Sequence, residues 1–389
     1  MKDMRILELF AGIGACSKAL ERLGIDVEIV DAVEIDKYAI ASFNAIHGTQ
    51  FSVSDITEWD KDVEVDLITH GSPCQDFSIA GKQAGGDLGS GTRSSLMYET
   101  IRIVGKIRPK YVLWENVKNI LSKKHKHNFD SYIETMNILG YNSYYKVLNA
   151  KDYGVPQNRE RVYTISIRKD IDNGNFVFPE PIELKLRLKD MLEKQVDEKY
   201  YLDDTQIERI KTTTYNVGKT RIQEKEYCDT LCARDWKDPK CVRIGGIFDT
   251  EKSKQPSVMI KNANKKGYDE AIDGEGVVIN PLKDKSCYGW HFEQNVYDVR
   301  GITRSLKAGG GSGNIPKAIL SNTDIASIKV NNNYRIRKLT PKECWRLMGF
   351  EDEDFEKAQG VPTSNTQLYK QAGNSIVVNV LEKIFKNLF

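Results

Sequence analysis

Short apolar runs alternate with amphipathic stretches over the first 170 residues, the pattern of βαβ units that build a mostly parallel sheet. Five runs read as strands: RILELF (5–10), VEIVDAVEI (27–35), VDLITHG (65–71), YVLWENV (111–117) and RVYTISI (161–167). Between them, CSKALERLG (16–24) and YETIRIVGKI (98–107) carry apolar residues at helical spacing. From about 181 to 330 the pattern changes to β-branched pieces separated by turn-rich segments such as KDPK, GGIFD, AIDGEG and KAGGGSGN. This middle stretch reads as a separate, irregular, β-leaning domain. Helical signals return from Tyr334: Thr340 before Pro341 is a cap followed by a first-turn proline, and NSIVVNVLEKIF is an amphipathic helix.

Composition adds bounds to this picture. With 389 residues, 40% hydrophobic and 29% charged, the chain can bury the core of one large domain and one smaller one. It has no uninterrupted apolar run of about 18 residues, so neither secretion nor a membrane partner is expected. Seven cysteines without a repeating framework fit free thiols in a reducing cytoplasm. Cys228, Cys232 and Cys241 lack a paired Cys-x-x-Cys spacing, and no metal is expected. A net charge of +2 does not call for a polyanion partner, so nucleic-acid binding would need local basic groups. Two exist: Lys123, Lys124, His125, Lys126 and His127, and the group Arg335, Arg337 and Lys338.

Candidate chemistry gathers at strand ends. Phe10-Ala11-Gly12-Ile13-Gly14 is a glycine turn between the first strand and a helix, where open α/β sheets bind cofactors. Glu34 ends the second strand about 20 residues on, the place of a ribose-binding carboxylate, and Asp55 could meet an adenine amino group. The third glycine of a dinucleotide fingerprint is missing, which favours a nucleoside cofactor without a pyrophosphate. Taken alone, the glycines fit an empty structural turn equally well.

Cys74 follows Gly71-Ser72-Pro73 at the tip of the third strand, and the polar, glycine-rich stretch Gly81 to Gly91 after it reads as an exposed, mobile active-site loop. A thiol there is a candidate nucleophile; its bland alternative is a buried free cysteine. Glu115 ends the strand YVLWENV on the same rim. Arg159 and Arg161, at alternate positions, face one side if the segment is extended. A strand-end Glu is commonly a salt-bridge partner and Arg-x-Arg a surface feature; it is their joint occurrence in this order that points to a site.

In this order FAGIG, GSPCQDFS, ENV, QNRER, RKLTPKECWRLMGF and QAGNSIVVNVL resemble the motif set of the bacterial and phage DNA cytosine-5 methyltransferases, over roughly residues 4–170 and 334–389. The resemblance implies a Rossmann-like α/β S-adenosylmethionine-dependent methyltransferase domain, formed by 1–180 and completed by 331–389. Residues 181–330 take the place of the smaller β-rich target recognition domain, where Thr230-Leu231 resembles the Thr-Leu pair found there. Phe10, Gly12, Gly14, Glu34, Ile35, Asp55, Ile56, Pro73 and Leu96 would line the cofactor pocket, joined by Asn374 and Ser375, so the chain's end should pack beside its beginning. Relatives often carry an aromatic residue where Ile35 stands.

The implied chemistry is attack of Cys74 on carbon 6 of an extruded cytosine, with Glu115 on the N3 edge and Arg161, helped by Arg159, on O2. Arg234 and Arg304 are the candidate base readers of the middle segment. Double-stranded DNA is the implied partner and a monomer the expected state; a restriction endonuclease acting separately on the same site is an optional companion. One rival is an RNA cytosine methyltransferase, whose usual form has a small insert instead of 181–330. Another is a DNA-binding protein that keeps the fold without catalysis, against which Cys74, Glu115 and the two arginines speak.

Overall fold

The computed structural model describes residues 4–73, 94–201, 203 and 337–389, with the backbone of residue 93 and of segments 258–261, 268–271, 296–298, 303–304, 317–321 and 334–336. Seven strands precede residue 170: β1 (Met4–Leu9), β2 (Val27–Val33), β3 (Leu67–His70), β4 (Tyr111–Val117), β5 (Tyr141–Asn149), the short β6 (Gln157–Asn158) and β7 (Glu160–Arg168). Six of them form one sheet in the order β2-β1-β3-β4-β7-β5. β1 runs parallel to β2 and β3, and β3 to β4, whereas β7 is antiparallel to β4 and β5. The fold is thus mixed α/β with a mostly parallel sheet. Because the strand order reverses beside β1, the crevice at the carboxyl ends of β1 and β3 is the natural ligand site.

Side-chain alternation explains the layers. Ile6, Leu67, Leu113 and Ile165 bury into one core cluster, while their neighbours Leu7, Ile68, Val112 and Trp114 bury into another on the opposite face. The first face is covered by α1 (Ala15–Arg22) and by α8 (Val378–Leu388), which buries Val378, Val380, Leu381, Ile384 and Phe385 at helical spacing. Each such side chain contributes about 1.5–3 kcal/mol on burial. Arg22 fastens the two ends of the chain, donating to the Gly349 carbonyl at 3.0 Å and ion-pairing with Glu382 at 3.2 Å. The chain's end therefore packs beside its beginning. The second face carries α3 (Met97–Ile107) and α4 (Lys126–Ile138).

Among the elements that go beyond the sequence reading, α2 (Lys37–His47) is capped by the Asp36 side chain, and β5 is an edge strand whose exposed and half-buried residues break the strict alternation that marks a strand. The C-terminal part adds α5 (Pro341–Arg346), α6 (Asp352–Gln359) and α7 (Asn365–Asn374). Thr340 caps α5 as expected, in a reciprocal capping box with Glu343.

Glu343 also corrects the reading of Arg337 as a basic surface residue. Arg337 is 1% exposed and pairs with the fully buried Glu343 at 2.7 Å, so helix capping and charge neutralisation draw it inward. The Glu193 amide donates to the same carboxylate at 2.8 Å, and Leu188 and Met191 join the core of α1 and α8. The described pieces of the middle segment are strands: β8 (Val258–Lys261) with β9 (Tyr268–Ala271), β10 (Val296–Asp298) with β12 (Lys317–Ser321), and β11 (Thr303–Arg304) with β6. β12 also pairs with β13 (Tyr334–Lys338). Among the described residues, no helix is long and apolar enough to cross a membrane.

Candidate active site

The glycine turn is built by backbone conformations that few residues adopt. Phe10 has φ +54°, a left-handed conformation costing a non-glycine residue about 1–2 kcal/mol, and strain of this kind gathers at functional sites. Gly12 and Gly14 follow at φ +59° and +79°. A side chain at Gly12 would meet nothing within 4 Å, so its face is open to a ligand, whereas one at Gly14 would collide with His47 and Phe43. Gly14 thus lets α1 begin against α2. Beneath the turn Glu8, 3% exposed, accepts from the Ser17 amide at 3.0 Å and from the Ser17 hydroxyl; burial pushes its pKa up to about 7.

Glu34 ties the glycine turn to β2: one carboxylate oxygen accepts from the Gly12 amide at 2.9 Å, the other from the Asp36 amide at 2.8 Å. Burial raises its pKa, opposed by these two amides. Next to it Ile35 is 66% exposed, an apolar side chain offered at the crevice rim. Phe10, Ile56 and Leu96 pack together in the core cluster of the second face. The Asp55 carboxylate is taken up locally, accepting from the Thr57 amide and hydroxyl at 2.9 and 2.8 Å, while the Ser54 amide donates to the Glu34 carbonyl at 3.0 Å. Lys370 pairs with Asp36 and Gln371 donates to the Tyr38 carbonyl at 2.9 Å, docking α7, which ends at Asn374 and Ser375, on the start of α2.

Further along the rim, β3 leads into Gly71, Ser72 and Pro73. Ser72 is held from β4: its hydroxyl accepts from the Trp114 indole at 3.0 Å and from Asn116 at 3.4 Å, all three residues being buried. Sequence reading missed this anchor, whose only signal was a serine and a tryptophan at two strand ends. Glu115, between them in sequence, is 8% exposed and lies 3.0 Å from Nε of Arg161. The two meet because Arg161 on β7 faces Val117, two positions along from Glu115 on the neighbouring strand. A side chain on Gly71 would sit 3.7 Å from the other Glu115 oxygen. Burial raises the Glu115 pKa, while Arg161 and then Arg159 pull it down, so both guanidinium groups serve the same carboxyl.

Arg159 has a second occupation. It is 4% exposed, and its Nη2 donates to the Ser375 carbonyl at 2.8 Å and the Gly373 carbonyl at 3.3 Å. It thereby bolts the end of α7 to the rim that carries Glu115. Cys74, the Gly81 to Gly91 loop, Thr230, Leu231 and Arg234 lie outside the described residues, as do Cys228, Cys232 and Cys241. Arg304 is placed only by its backbone, in β11 beside Gln157–Asn158.

The comparisons with known proteins agree over the whole chain. The profile of the C-5 cytosine-specific DNA methylases matches residues 4–389. The orphan methyltransferase M.SPRI of Bacillus phage SPR is 33% identical, covering 100% of this chain and 98% of the relative. Type II methyltransferase M.HhaI of Haemophilus parahaemolyticus is 34% identical, covering 100% and 95%. Among solved structures, the Entamoeba histolytica methyltransferase EhMeth superposes with a TM-score of 0.64 at 15% identity, over 100% of this chain and 98% of that one. A putative DNA modification methyltransferase encoded in an E. coli prophage gives 0.56 at 20% identity over 99% and 98%. These two likenesses speak for the fold; the sequence match from end to end speaks for the chemistry, and by it this chain belongs to the C-5 cytosine-specific DNA methylase family and is a DNA (cytosine-5-)-methyltransferase.

Proposed function

We propose that the enzyme methylates carbon 5 of a cytosine extruded from duplex DNA, at a sequence chosen by residues 181–330, through a covalent adduct between Cys74 and carbon 6. The observation that carries this reading is the buried Glu115 carboxyl, 3.0 Å from Arg161 and beside the anchored Gly71-Ser72-Pro73 segment that leads directly to Cys74.

The residues of the crevice fit S-adenosylmethionine. The open face of Gly12 admits a ligand against the backbone, and Glu34, with each oxygen already oriented by an amide, keeps lone pairs for ribose hydroxyls. Phe10, Ile35, Ile56, Pro73 and Leu96 supply apolar surface for an adenine, Asp55 a carboxylate for its amino group, and Gly14, Asn374 and Ser375 complete the rim. When bound, this cofactor supplies the methyl group; no metal has a role in the scheme.

The cytosine ring is a poor nucleophile until a thiolate adds to it. Cys74 Sγ bonds to carbon 6, and the electron density released toward N3 and O2 is met by the chain's own groups. Glu115 hydrogen-bonds the N3 and amino edge, and because burial disfavours its anion, its carboxyl is suited to carry a proton there. Arg161, with Arg159 behind it, stabilises the charge at O2. After carbon 5 is methylated, loss of its proton and departure of Cys74 restore the ring. A stacked base cannot present its face to both reactants, so the cytosine leaves the duplex, at about a few kcal/mol. Thr230, Leu231, Arg234 and Arg304 are proposed to contact the DNA.

The test is expression in a methylation-free host followed by single-base detection of 5-methylcytosine. The expected result is one short recurring site, which moves when residues 181–330 are exchanged for those of a relative. Absence of 5-methylcytosine would overturn the activity, and an unmoved site would overturn the recognition assignment.

A further inference from the structure

Beyond Glu115 the chain makes the 3-10 turn Lys118–Leu121 and a tight loop before α4. The loop is held by its backbone, the His125 and Lys126 amides donating to the Ser122 carbonyl at 3.0 and 2.8 Å, with His125 buried as its inward anchor. Lys123, Lys124 and Lys126 are exposed. Their charges are not equally balanced. Lys118 pairs with Glu160 and Lys126 with Asp130, whereas Lys123 and Lys124 have no acidic partner among the described residues. The loop itself contains no carboxylate, and α4 begins there with no acidic residue in its first turn. Positive charge at a helix N-terminus opposes the helix dipole by roughly a few tenths of a kcal/mol, so nothing among the described residues accounts for this concentration.

Position supplies the reason. Lys123 is eight residues past Glu115, four of them in a 3-10 turn rising about 2 Å per residue, so their Cα atoms are within roughly 22 Å. That span corresponds to about six nucleotides of one strand at 3.4 Å each. We infer that Lys123 and Lys124 bind backbone phosphates of the duplex flanking the target cytosine, an electrostatic contact blind to sequence that seats the DNA on the Glu115 rim. The inference rests on DNA as the substrate.

The test measures duplex binding against salt for the wild type, for Lys123→Gln/Lys124→Gln, and for Lys110→Gln at the opposite end of β4, where Lys110 pairs with Asp66. Each phosphate contact contributes about 0.9 to the slope of log affinity against log salt, so the double variant should lose between about 1 and 2 of that slope. At 0.1 M salt the same relation gives binding weaker by about 10- to 60-fold, alike on cognate and unrelated duplexes. Cofactor affinity and kcat at saturating DNA should stay as in the wild type, and Lys110→Gln should leave the slope unchanged. An unaltered slope in the double variant, or a loss confined to the cognate site, would overturn the inference. A wild type that methylates no duplex at all would overturn the substrate assignment, and this surface with it.

Discussion

Arg159 offers the sharpest separation between support of the site and action on the base. Replacing it by Ala removes a charge-assisted bond of 2.8 Å to the Ser375 carbonyl and a longer one of 3.3 Å to Gly373. A full bond of this kind contributes about 1.5–3 kcal/mol and the longer one less, and both carbonyls then need new donors in a buried setting. The expected loss of stability is about 2–4 kcal/mol, or roughly 2 to 5 °C in Tm for a chain of 389 residues with an unfolding entropy of about 2.1 cal/mol/K per residue. Arg159→Lys keeps the charge near Glu115 but not the planar fork, and should lose about half as much. Thermal unfolding by circular dichroism, paired with kcat at saturating cofactor and DNA, reads both roles. If Arg159→Ala abolished methyl transfer while Tm stayed within about 1 °C of the wild type, the bolt would be refuted and direct contact with the ring would be the sole role left.

Glu343→Ala should lower stability by about 3–5 kcal/mol, because it strands the buried Arg337, whereas an Arg337→Met/Glu343→Leu pair should recover most of the loss; equal unfolding midpoints for all three proteins would contradict the buried ion pair. Glu8, with an ordinary pKa of 4.5 raised to about 7, favours the folded state fully below pH 4.5 and loses that contribution as pH rises through 7. The difference is about 3 kcal/mol, and Glu8→Gln should flatten this part of the stability profile between pH 5 and 8; a parallel decline in wild type and variant would show that Glu8 is not its source. Glu34→Ala should weaken S-adenosylmethionine binding by about 1.5–3 kcal/mol, and unchanged affinity in calorimetry would remove this carboxylate from the cofactor site.

The parts of this molecule that were legible in its sequence are those governed by local pattern. Strands β1, β3 and β4 are buried on both faces and read as continuous apolar runs, and the Thr340-Pro341 pair marks its helix start through nearby backbone chemistry alone. β5 was not legible: as an edge strand it leaves Tyr145 and Lys146 exposed side by side and Ser143 and Tyr144 half-buried, so no alternation survives. Glu115 and Arg161 could be named from strand ends, and their meeting follows from the β4–β7 register. The second occupation of Arg159 could not, since its carbonyl partners lie 214 and 216 residues away and the register of one strand says nothing of them. Arg337 misled for the opposite reason: a charge in the basic run Arg335-Ile336-Arg337-Lys338 reads as exposed until Glu343, six positions on, turns toward it.

The central claim is a covalent bond between Cys74 and the cytosine ring, and trapping tests it directly. Wild-type protein incubated with S-adenosylmethionine and a duplex carrying 5-fluorocytosine at the methylated position should form an adduct that survives denaturation, because fluorine cannot leave as a cation. Peptide mass analysis should place the bond on Cys74, and Cys74→Ser should form no adduct and transfer no methyl group while binding the cofactor as before. An adduct on another residue, or methylation by Cys74→Ser beyond a trace, would contradict the mechanism.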